Sequence, residues 1–318
     1  MPQRRKQKKY AARRPKASCR ARRKPQETWE IVVWALACAV LLLLVIFLYR
    51  RQEQQRRAVY ENAEFSVHFI DVGQGDSIYI HSDDADVLID AGEAEYGSTV
   101  VRYLDSCGVR ELDLVIATHP HSDHIGGLSA VLSEFEIQEV MLSDIPDEQL
   151  PVTRTFAGLL DAIDASGAAL VTAEAGQTYT LGDAVLTILG PVDTEYDDLN
   201  DYSVVAQLSF GEADFLFTGD QTTTAEKDLL ASDILEDIEV LKVGHHGSST
   251  SSSKKFLDVI QPEYAVIQCG ADNSYSHPHE TIVKRLAGYT DNIYRTDVQG
   301  TAVFTSDGRS LSVSLINE

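Results

Sequence analysis

Leu112-Asp113-Leu114-Val115-Ile116-Ala117-Thr118 runs directly into His119-Pro120-His121-Ser122-Asp123-His124. The first seven residues read as a buried β-strand, and that strand delivers a turn rich in metal-ligand side chains. In an extended turn His119 and His121 point the same way. Asp123 and His124 then offer an oxygen and a nitrogen to a neighbouring position. Imidazole and carboxylate are the usual ligands of zinc, and the same set admits iron or manganese. A polar surface loop rarely gathers three histidines and an aspartate in six residues, so the run predicts a metal site.

Outward from this run, strands, glycine turns and helices alternate. Phe65–Val72 and Ser77–His81 read as strands around Gly73-Gln74-Gly75-Asp76, and Val87–Ile89 as a short strand ending at Asp90. Helical spacing covers Ser98–Cys107, Gly126–Glu134, Thr153–Ala165, Thr222–Ser232, Lys254–Ile260 and Glu280–Ala287. Further strands are expected at Val140–Leu142, Ala169–Ala173, Thr178–Leu181, Val185–Leu189, Val204–Phe210, Phe215–Thr218, Ile238–Val243, Ala265–Gln268, Asn292–Arg295, Gly300–Thr305 and Ser310–Leu315. Two mixed, β-rich halves predict an α/β (α+β) fold in which sheet packs on sheet and helices cover the outside.

Several other polar residues sit just after predicted strands. Asp220 follows Phe215-Leu216-Phe217-Thr218-Gly219; it is either a turn residue or a carboxylate that bridges two metals. His245 and His246 follow Leu241-Lys242-Val243, one to complete the metal set and the other to donate a proton or contact substrate. His277-Pro278-His279 is either an ordinary loop or a substrate-contacting one. Asp90 is a turn residue or an acceptor that orients a ligand histidine. His68 and His81 lie in strand patterns and are expected to be structural.

The N-terminal region has a different character. Residues 1–59 hold 16 of the 27 Lys and Arg but only three acids, which leaves 11 basic and 46 acidic residues from 60 onward. A surface with a balance of −35 repels polyanions and counts against avid, sequence-blind nucleic-acid binding, although bound divalent metals offset the repulsion locally. Ile31 to Tyr49 is a run of 19 residues without a charge, long enough at 1.5 Å per residue to come close to spanning a ~30 Å hydrocarbon core. Arg50-Arg51 follows at once where a cleavage site would need small residues, so a retained signal anchor is expected rather than a cleaved peptide. Twelve Lys and Arg precede the span and four follow it, which predicts a cytoplasmic N-terminus and an extracellular main domain at the cell membrane. The organisation expected is a basic, disordered tail (1–30), a transmembrane anchor (31–49), a linker (50–64) and one domain (65–318). Four cysteines show no CxxC spacing. A Cys107–Cys269 disulfide and two buried thiols are both open readings.

Six motifs in order carry a resemblance that covers about residues 65–316. They are Phe69–Ser77 (FIDVGQGDS), Ile89–Gly92 (IDAG), Ala117–Gly127 (ATHPHSDHIGG), Phe217–Asp220 (FTGD), Leu241–Ser248 (LKVGHHGS) and Ser276–Pro278 (SHP). With them the chain resembles the metallo-β-lactamase superfamily and, within it, the hydrolase domain of ComEC/Rec2-like competence proteins. The resemblance implies a four-layer αββα sandwich and two divalent metal ions, zinc foremost. It gives His119 and His121 to one metal, Asp123 and His124 to the other, Asp220 as the bridge and His246 as a further ligand. A histidine ligand expected between Leu189 and Ser203 is missing, and Asn200, Asp201 or Ser203 stands in its place. The activity implied is metal-assisted hydrolysis of a phosphodiester at Asp123, with His245 or His277 protonating the leaving oxygen. DNA, a choline-phosphate decoration or another phosphoester is the expected substrate, with a link to DNA uptake and a separate channel protein as partner. The alternative is a non-catalytic binding or uptake accessory protein.

Overall fold

A computed structural model describes residues 25–60, 63–83 and 85–316, and the chain divides into two compact units, Met1–Gln54 and Gln55–Glu318. Helix α1 (Pro25–Tyr60) carries the apolar run, of which Trp29–Leu48 has the length and composition to cross a membrane, with a mean hydropathy of 3.2. The expected linker at 50–64 is helical as far as Tyr60. The residues of the basic tail before Pro25, Cys19 among them, lie outside the described residues.

The second unit is built on two sheets. The first contains β1 (Phe65–Phe69), β2 (Ile78–Ser82), β3 (Ala85–Ile89), β4 (Glu111–Ala117), β5 (Glu136–Leu142) and β6 (Ala169–Thr172). The second contains β7 (Thr178–Leu181), β8 (Ala184–Gly190), β9 (Val205–Phe210), β10 (Ala213–Phe217), β11 (Val240–Lys242), β12 (Tyr264–Ile267) and β13 (Asn292–Arg295). The chain then returns to the first sheet with β14 (Thr301–Ser306) and β15 (Leu311–Ile316). Strand order is β15-β14-β1-β2-β3-β4-β5-β6 in one sheet and β13-β12-β11-β10-β9-β8-β7 in the other.

Side-chain alternation explains the layers. Phe65, Val67 and Phe69 on β1, Phe215 and Phe217 on β10 and Phe304 on β14 meet in the core between the sheets. Phe215 lies 6.0 Å edge-on from Phe304, and deleting such a ring costs about 3–5 kcal/mol in comparable cores. On β4 both faces are apolar: Leu114 and Ile116 enter this central core, whereas Leu112, Val115 and Ala117 face the helices outside. That is why its sequence shows an unbroken apolar run. Helices α2 (Gly97–Cys107), α4 (Leu128–Glu134) and α5 (Arg154–Ser166) cover the first sheet through Val100, Leu104, Val131 and Leu159. Between α2 and α4, β4 leads into the single turn α3 (Ser122–Ile125). Helices α6 (Thr223–Ala231), α7 (Lys254–Ile260) and α8 (Glu280–Leu286) cover the second sheet through Leu229, Phe256 and Ile282, and α9 (Thr296–Gln299) precedes the return strands. The expected four-layer αββα sandwich is the observed fold.

Two local expectations change. The strand expected over Phe65–Val72 ends at Phe69, because the chain must turn through Gly73 (φ 63°) and Gly75 (φ 140°) before β2. No disulfide joins Cys107 and Cys269. Cys107 packs under the first sheet's helices, while the Cys269 thiol sits in the core behind the second sheet and donates to Asp297 Oδ1 at 3.4 Å.

Candidate metal centre

Parallel pairing brings strand ends together. β3 runs parallel to β4, and β10, β11 and β12 run parallel to one another. Asp90, His119, Asp220, His246 and Gln268 all follow the C-terminal ends of these strands, so one end of the sandwich collects them. The His119–His124 run is not wholly extended. His121 caps α3 with its carbonyl, which accepts from His124 N and Ile125 N at 3.1 Å each, so Asp123 and His124 sit on a helical turn. The Gly73–Asp76 turn docks against it: Asp76 N donates to Asp123 O at 3.2 Å, and a Cβ on Gly75 would lie 2.2 Å from that carbonyl. His245 and His246 both take left-handed backbone angles (φ 50° and 52°), which aims consecutive imidazoles at the same space.

Hydrogen-bond acceptors decide which ring nitrogens remain available. His124 Nδ1 lies 2.8 Å from Asp90 Oδ2, and His246 Nδ1 lies 2.9 Å from the Gln268 carbonyl. Both contacts hold a proton on Nδ1 and leave Nε2 as the nitrogen that a metal ion would take. Those two Nε2 atoms converge: His124 Nε2 is 3.3 Å from Asp220 Oδ1, and His246 Nε2 is 3.3 Å from Asp220 Oδ2 and from Asp123 Oδ2. His119 Nδ1 faces the Thr118 and Ser203 hydroxyls at 3.1 and 3.3 Å, and its Nε2 meets His121 Nδ1 at 3.1 Å. Asp220 therefore stands beside the Asp123–His124–His246 group, and the His119–His121 pair forms a second focus, with His119 and His124 ring centroids 4.1 Å apart.

The donors present fit a cation. His124 Nε2, His246 Nε2 and Asp220 Oδ1 are buried polar atoms without a hydrogen bond of their own, and Asp76 Oδ1, likewise unbonded, lies on the Nδ1 side of His246. Asp76, His124, Asp220 and His246 each offer a ligand atom within 4.8 Å of the others. Such orphans are costly in a folded interior unless an ion or water meets them. Electrostatics points the same way. Burial alone would drive protons off His124, yet the Asp220 and Asp90 carboxylates outweigh it and raise its pKa well above the ordinary value. His246 behaves likewise under Asp220 and Asp76. Burial would raise the Asp220 pKa, but His246 and His124 hold it well below the usual carboxylate range. The centre stabilises positive charge where Nε2 and carboxylate oxygens meet.

A cleft of about 340 Å³ opens on this centre, lined by Gln74, His121, Asp123, Asn200, Asp220, His245, His246, Tyr275 and His277 among others. His245 stands at its open side with Nε2 3.7 Å from Asp220 Oδ2 and Nδ1 3.1 Å from Thr250 Oγ1. Burial lowers its pKa despite Asp220. His277 is pushed down to about 4 by burial and by His246 and His245. Where the absent histidine was expected, the three polar residues diverge. Asn200 lines the cleft with an unpartnered Oδ1, Ser203 lies behind His119 and accepts from Asp220 N at 3.0 Å, and Asp201 turns away to accept from Thr222 N. Asp90 accepts from Thr118 N (2.9 Å) and Thr118 Oγ1 (2.6 Å) besides its contact with His124. His68 packs away from the cleft, with Tyr103 Oη and Ser66 Oγ each 2.8 Å from its ring nitrogens.

Sequence reasoning did not single out Asp76, Lys242, Gln74 or Tyr275. Gly73–Asp76 reads as the link between two strands and Lys242 as part of a strand, and both lie in family motifs with no role attached to them. Asp76 faces the Nδ1 sides of His246 (3.3 Å) and His124 (3.9 Å) and forms an ion pair with the fully buried Lys242. A charged residue placed at a buried strand position was the available signal.

The profile of the Metallo-beta-lactamase superfamily matches residues 70–271, and the chain belongs to that superfamily. It is 28% identical over 273 residues to ComE operon protein 3 of Bacillus subtilis, a match that covers 78% of this chain and 34% of that protein. It is 32% identical over 251 residues to competence protein ComA of Neisseria gonorrhoeae, covering 78% of this chain and 33% of the relative. The chain thus spans about a third of the length of these relatives. Among solved structures, CmlA, a diiron β-hydroxylase from Streptomyces venezuelae, superposes with a TM-score of 0.51 over 77% of this chain and 54% of its own, at 15% identity, a likeness of fold alone. Family, fold and site define a metallo-β-lactamase-fold, metal-dependent hydrolase related to competence proteins.

Proposed function

We propose that this chain hydrolyses a phosphodiester, with nucleic acid as the first substrate to test. The observation that carries the reading is the convergence of His124 Nε2, His246 Nε2, Asp123 Oδ2 and Asp220 in one group at the floor of the cleft, all buried but the half-buried Asp123, beside the His119–His121 pair. Asp123, His124, Asp220 and His246 would hold one divalent ion, and His119 and His121, with Asp220 shared, a second. Zinc suits this donor set, and manganese or iron is admitted by it. Such ions polarise a phosphoryl oxygen and lower the pKa of water when bound.

The chain's own residues supply the rest. His245 and His277 both line the cleft, and burial chiefly holds both below the ordinary histidine pKa, so near neutral pH they would meet a leaving oxygen as neutral imidazoles that donate a hydrogen bond. Asn273 fixes the His277 loop: its side chain donates to the Gly270 and His277 carbonyls and accepts from Tyr275 N and His277 N. Asn200 Oδ1, unpartnered on the cleft wall, is free to accept from a substrate hydroxyl or amine.

Residues 29–48 would anchor the protein in the cell membrane, and the basic excess before them would keep the N-terminus cytoplasmic and the hydrolase domain outside. A link to DNA uptake is supported by the competence-protein relatives, and a separate channel protein would be the partner in that role. The test is turnover of bis(p-nitrophenyl) phosphate by the purified chain in detergent with Zn²⁺ or Mn²⁺. Asp123→Ala is expected to abolish it. No turnover by the wild type with either metal, across simple phosphoesters and single-stranded DNA, would favour a non-catalytic accessory role instead. Cleavage of a choline-phosphate ester but not of DNA would redirect the substrate class.

A further inference from the structure

Lys242 has no exposed surface, and a lysine is seldom wholly buried unless its charge is met. Its ammonium contacts Asp76 Oδ2 and lies 3.3 Å from the Gly219 carbonyl. One cation thereby ties three segments distant in sequence: the Gly73–Asp76 turn, the Thr218–Asp220 strand end and its own strand, which continues into His245 and His246. The same Gly219 carbonyl accepts from His245 N at 3.1 Å. Nothing about packing β11 in the sandwich calls for this ion pair. An apolar side chain of similar length would fill the space without the cost of desolvating two charges.

The partners of Asp76 indicate what the pair does. Its Oδ1, which carries no hydrogen bond, faces His246 Nδ1 at 3.3 Å, and its Oδ2 lies 3.9 Å from His124 Nδ1. Both are the edges of the rings turned away from the cleft. Asp90 and Asp220, both buried, and the half-buried Asp123 already put three carboxylates around these two imidazoles. A fourth would be strongly repelled without Lys242. With it, Asp76 presents a carboxylate to two imidazoles while the pair stays electrically neutral overall.

We infer that Asp76 and Lys242 are positioning residues for the metal ligands. Lys242 fixes the Asp76 carboxylate. Asp76, with the Gln268 carbonyl and Asp90, holds protons on Nδ1 of His246 and His124, so that both Nε2 lone pairs face the ion position shared with Asp123 and Asp220. The assignment rests on the metal-centre reading given above.

The test uses the full chain in detergent, stripped with chelator and titrated with Co²⁺ alone, whose visible absorption reports the ligand set. Asp76→Asn and the charge-neutral double variant Asp76→Asn/Lys242→Met are compared with the wild type, and folding is checked by circular dichroism and thermal unfolding of the metal-free proteins. The wild type is expected to give a saturable visible spectrum. Both variants are expected to fold, to bind Co²⁺ about 10–100-fold more weakly, the range typical for loss of a group that orients a ligand, and to show a shifted band. A folded double variant with unchanged affinity and spectrum overturns the inference and leaves the metal centre standing. If both variants fail to fold while the wild type folds, the pair belongs to the fold and the inference is equally overturned. Absence of Co²⁺ binding by the wild type removes the metal-centre reading itself.

Discussion

Replacing Asp90 by asparagine changes one heavy atom and sets the geometry of the centre against itself. Asp90 is fully buried and accepts three hydrogen bonds, from Thr118 N at 2.9 Å, Thr118 Oγ1 at 2.6 Å and His124 Nδ1 at 2.8 Å. An asparagine has one acceptor and one donor end. If its oxygen keeps the bond from Thr118 N, its NH₂ faces His124 Nδ1 and forces the proton onto Nε2, the atom that should hold a metal. If the amide flips, Nδ1–H of His124 is satisfied, but the NH₂ confronts Thr118 N–H and orphans a buried amide. An orphaned donor costs about 1–3 kcal/mol. At ~1.4 kcal/mol per decade, that corresponds to a loss in metal affinity of roughly 5- to 150-fold. The independent expectation for removing a carboxylate behind a ligand histidine is about 10–100-fold, in the same range. The assay is zinc titration of the chelator-stripped chain by calorimetry, with circular dichroism to show that the variant is folded. Wild-type zinc affinity in a folded Asp90→Asn protein would refute the tautomer argument, because neither orientation of the amide preserves every bond.

Three further outcomes are expected. Gly75→Ala places a Cβ 2.2 Å from the Asp123 carbonyl at a φ of 140°, so it should lower the melting temperature and weaken metal binding together; a variant with normal zinc content would show that the Gly73–Asp76 turn does not brace the ligand loop. His68 has its pKa lowered to about 3 by burial and, secondarily, by His81, against 6.5 when unfolded. The unfolded chain therefore takes up the proton first as pH falls, and stability should be lost between pH 6.5 and 3, by about 2–3 kcal/mol at pH 4.5; urea unfolding at pH 7.5 and 4.5 should show a stability gap over His68→Gln that narrows by that amount. Deleting residues 29–48 should move the protein from the carbonate-resistant membrane pellet to the soluble fraction, and a deletion protein that stays in the pellet would assign membrane attachment elsewhere.

Much of this molecule can be read from the chain because its signals are local. The strand–turn units ending in Asp90, His119, Asp220 and His246 each combine an apolar strand with polar residues at its end, and parallel pairing of β3 with β4 and of β10 with β11 then places these ends side by side. The boundary errors arise where backbone strain or a cap decides. Gly73 and Gly75 end the first strand early, and α3 begins inside the histidine run because the His121 carbonyl can accept two amides. Asp76 and Lys242 were missed for a different reason. Their meaning lies in a contact across 166 positions, between the turn after β1 and the end of β11, and neither residue looks like a ligand by itself. The Cys107–Cys269 question was likewise tertiary: both thiols are in the domain, but on opposite sides of the sandwich.

The missing histidine sharpens how the two foci differ. On the proposed reading, Asp123, His124, Asp220 and His246 would give one ion position four protein donors, three of them held by buried partners: Asp90 and Gln268 behind the imidazoles, and Ser203 Oγ on the Asp220 amide. The second focus would have His119 and His121 with a share of Asp220, and His121 is half-buried where His119 is buried. Ser203 cannot replace the absent ligand there, because its hydroxyl already serves the Asp220 amide and faces His119 Nδ1, the side away from His121. Asn200 reaches the cleft, but an amide oxygen is a weaker donor to a transition metal than imidazole. The focus expected to bind more tightly is therefore the one behind which Asp76 and Lys242 sit. The poorer one would lie beside His121, which lines the cleft, and there the proposed phosphoester would itself supply the oxygen that the protein lacks.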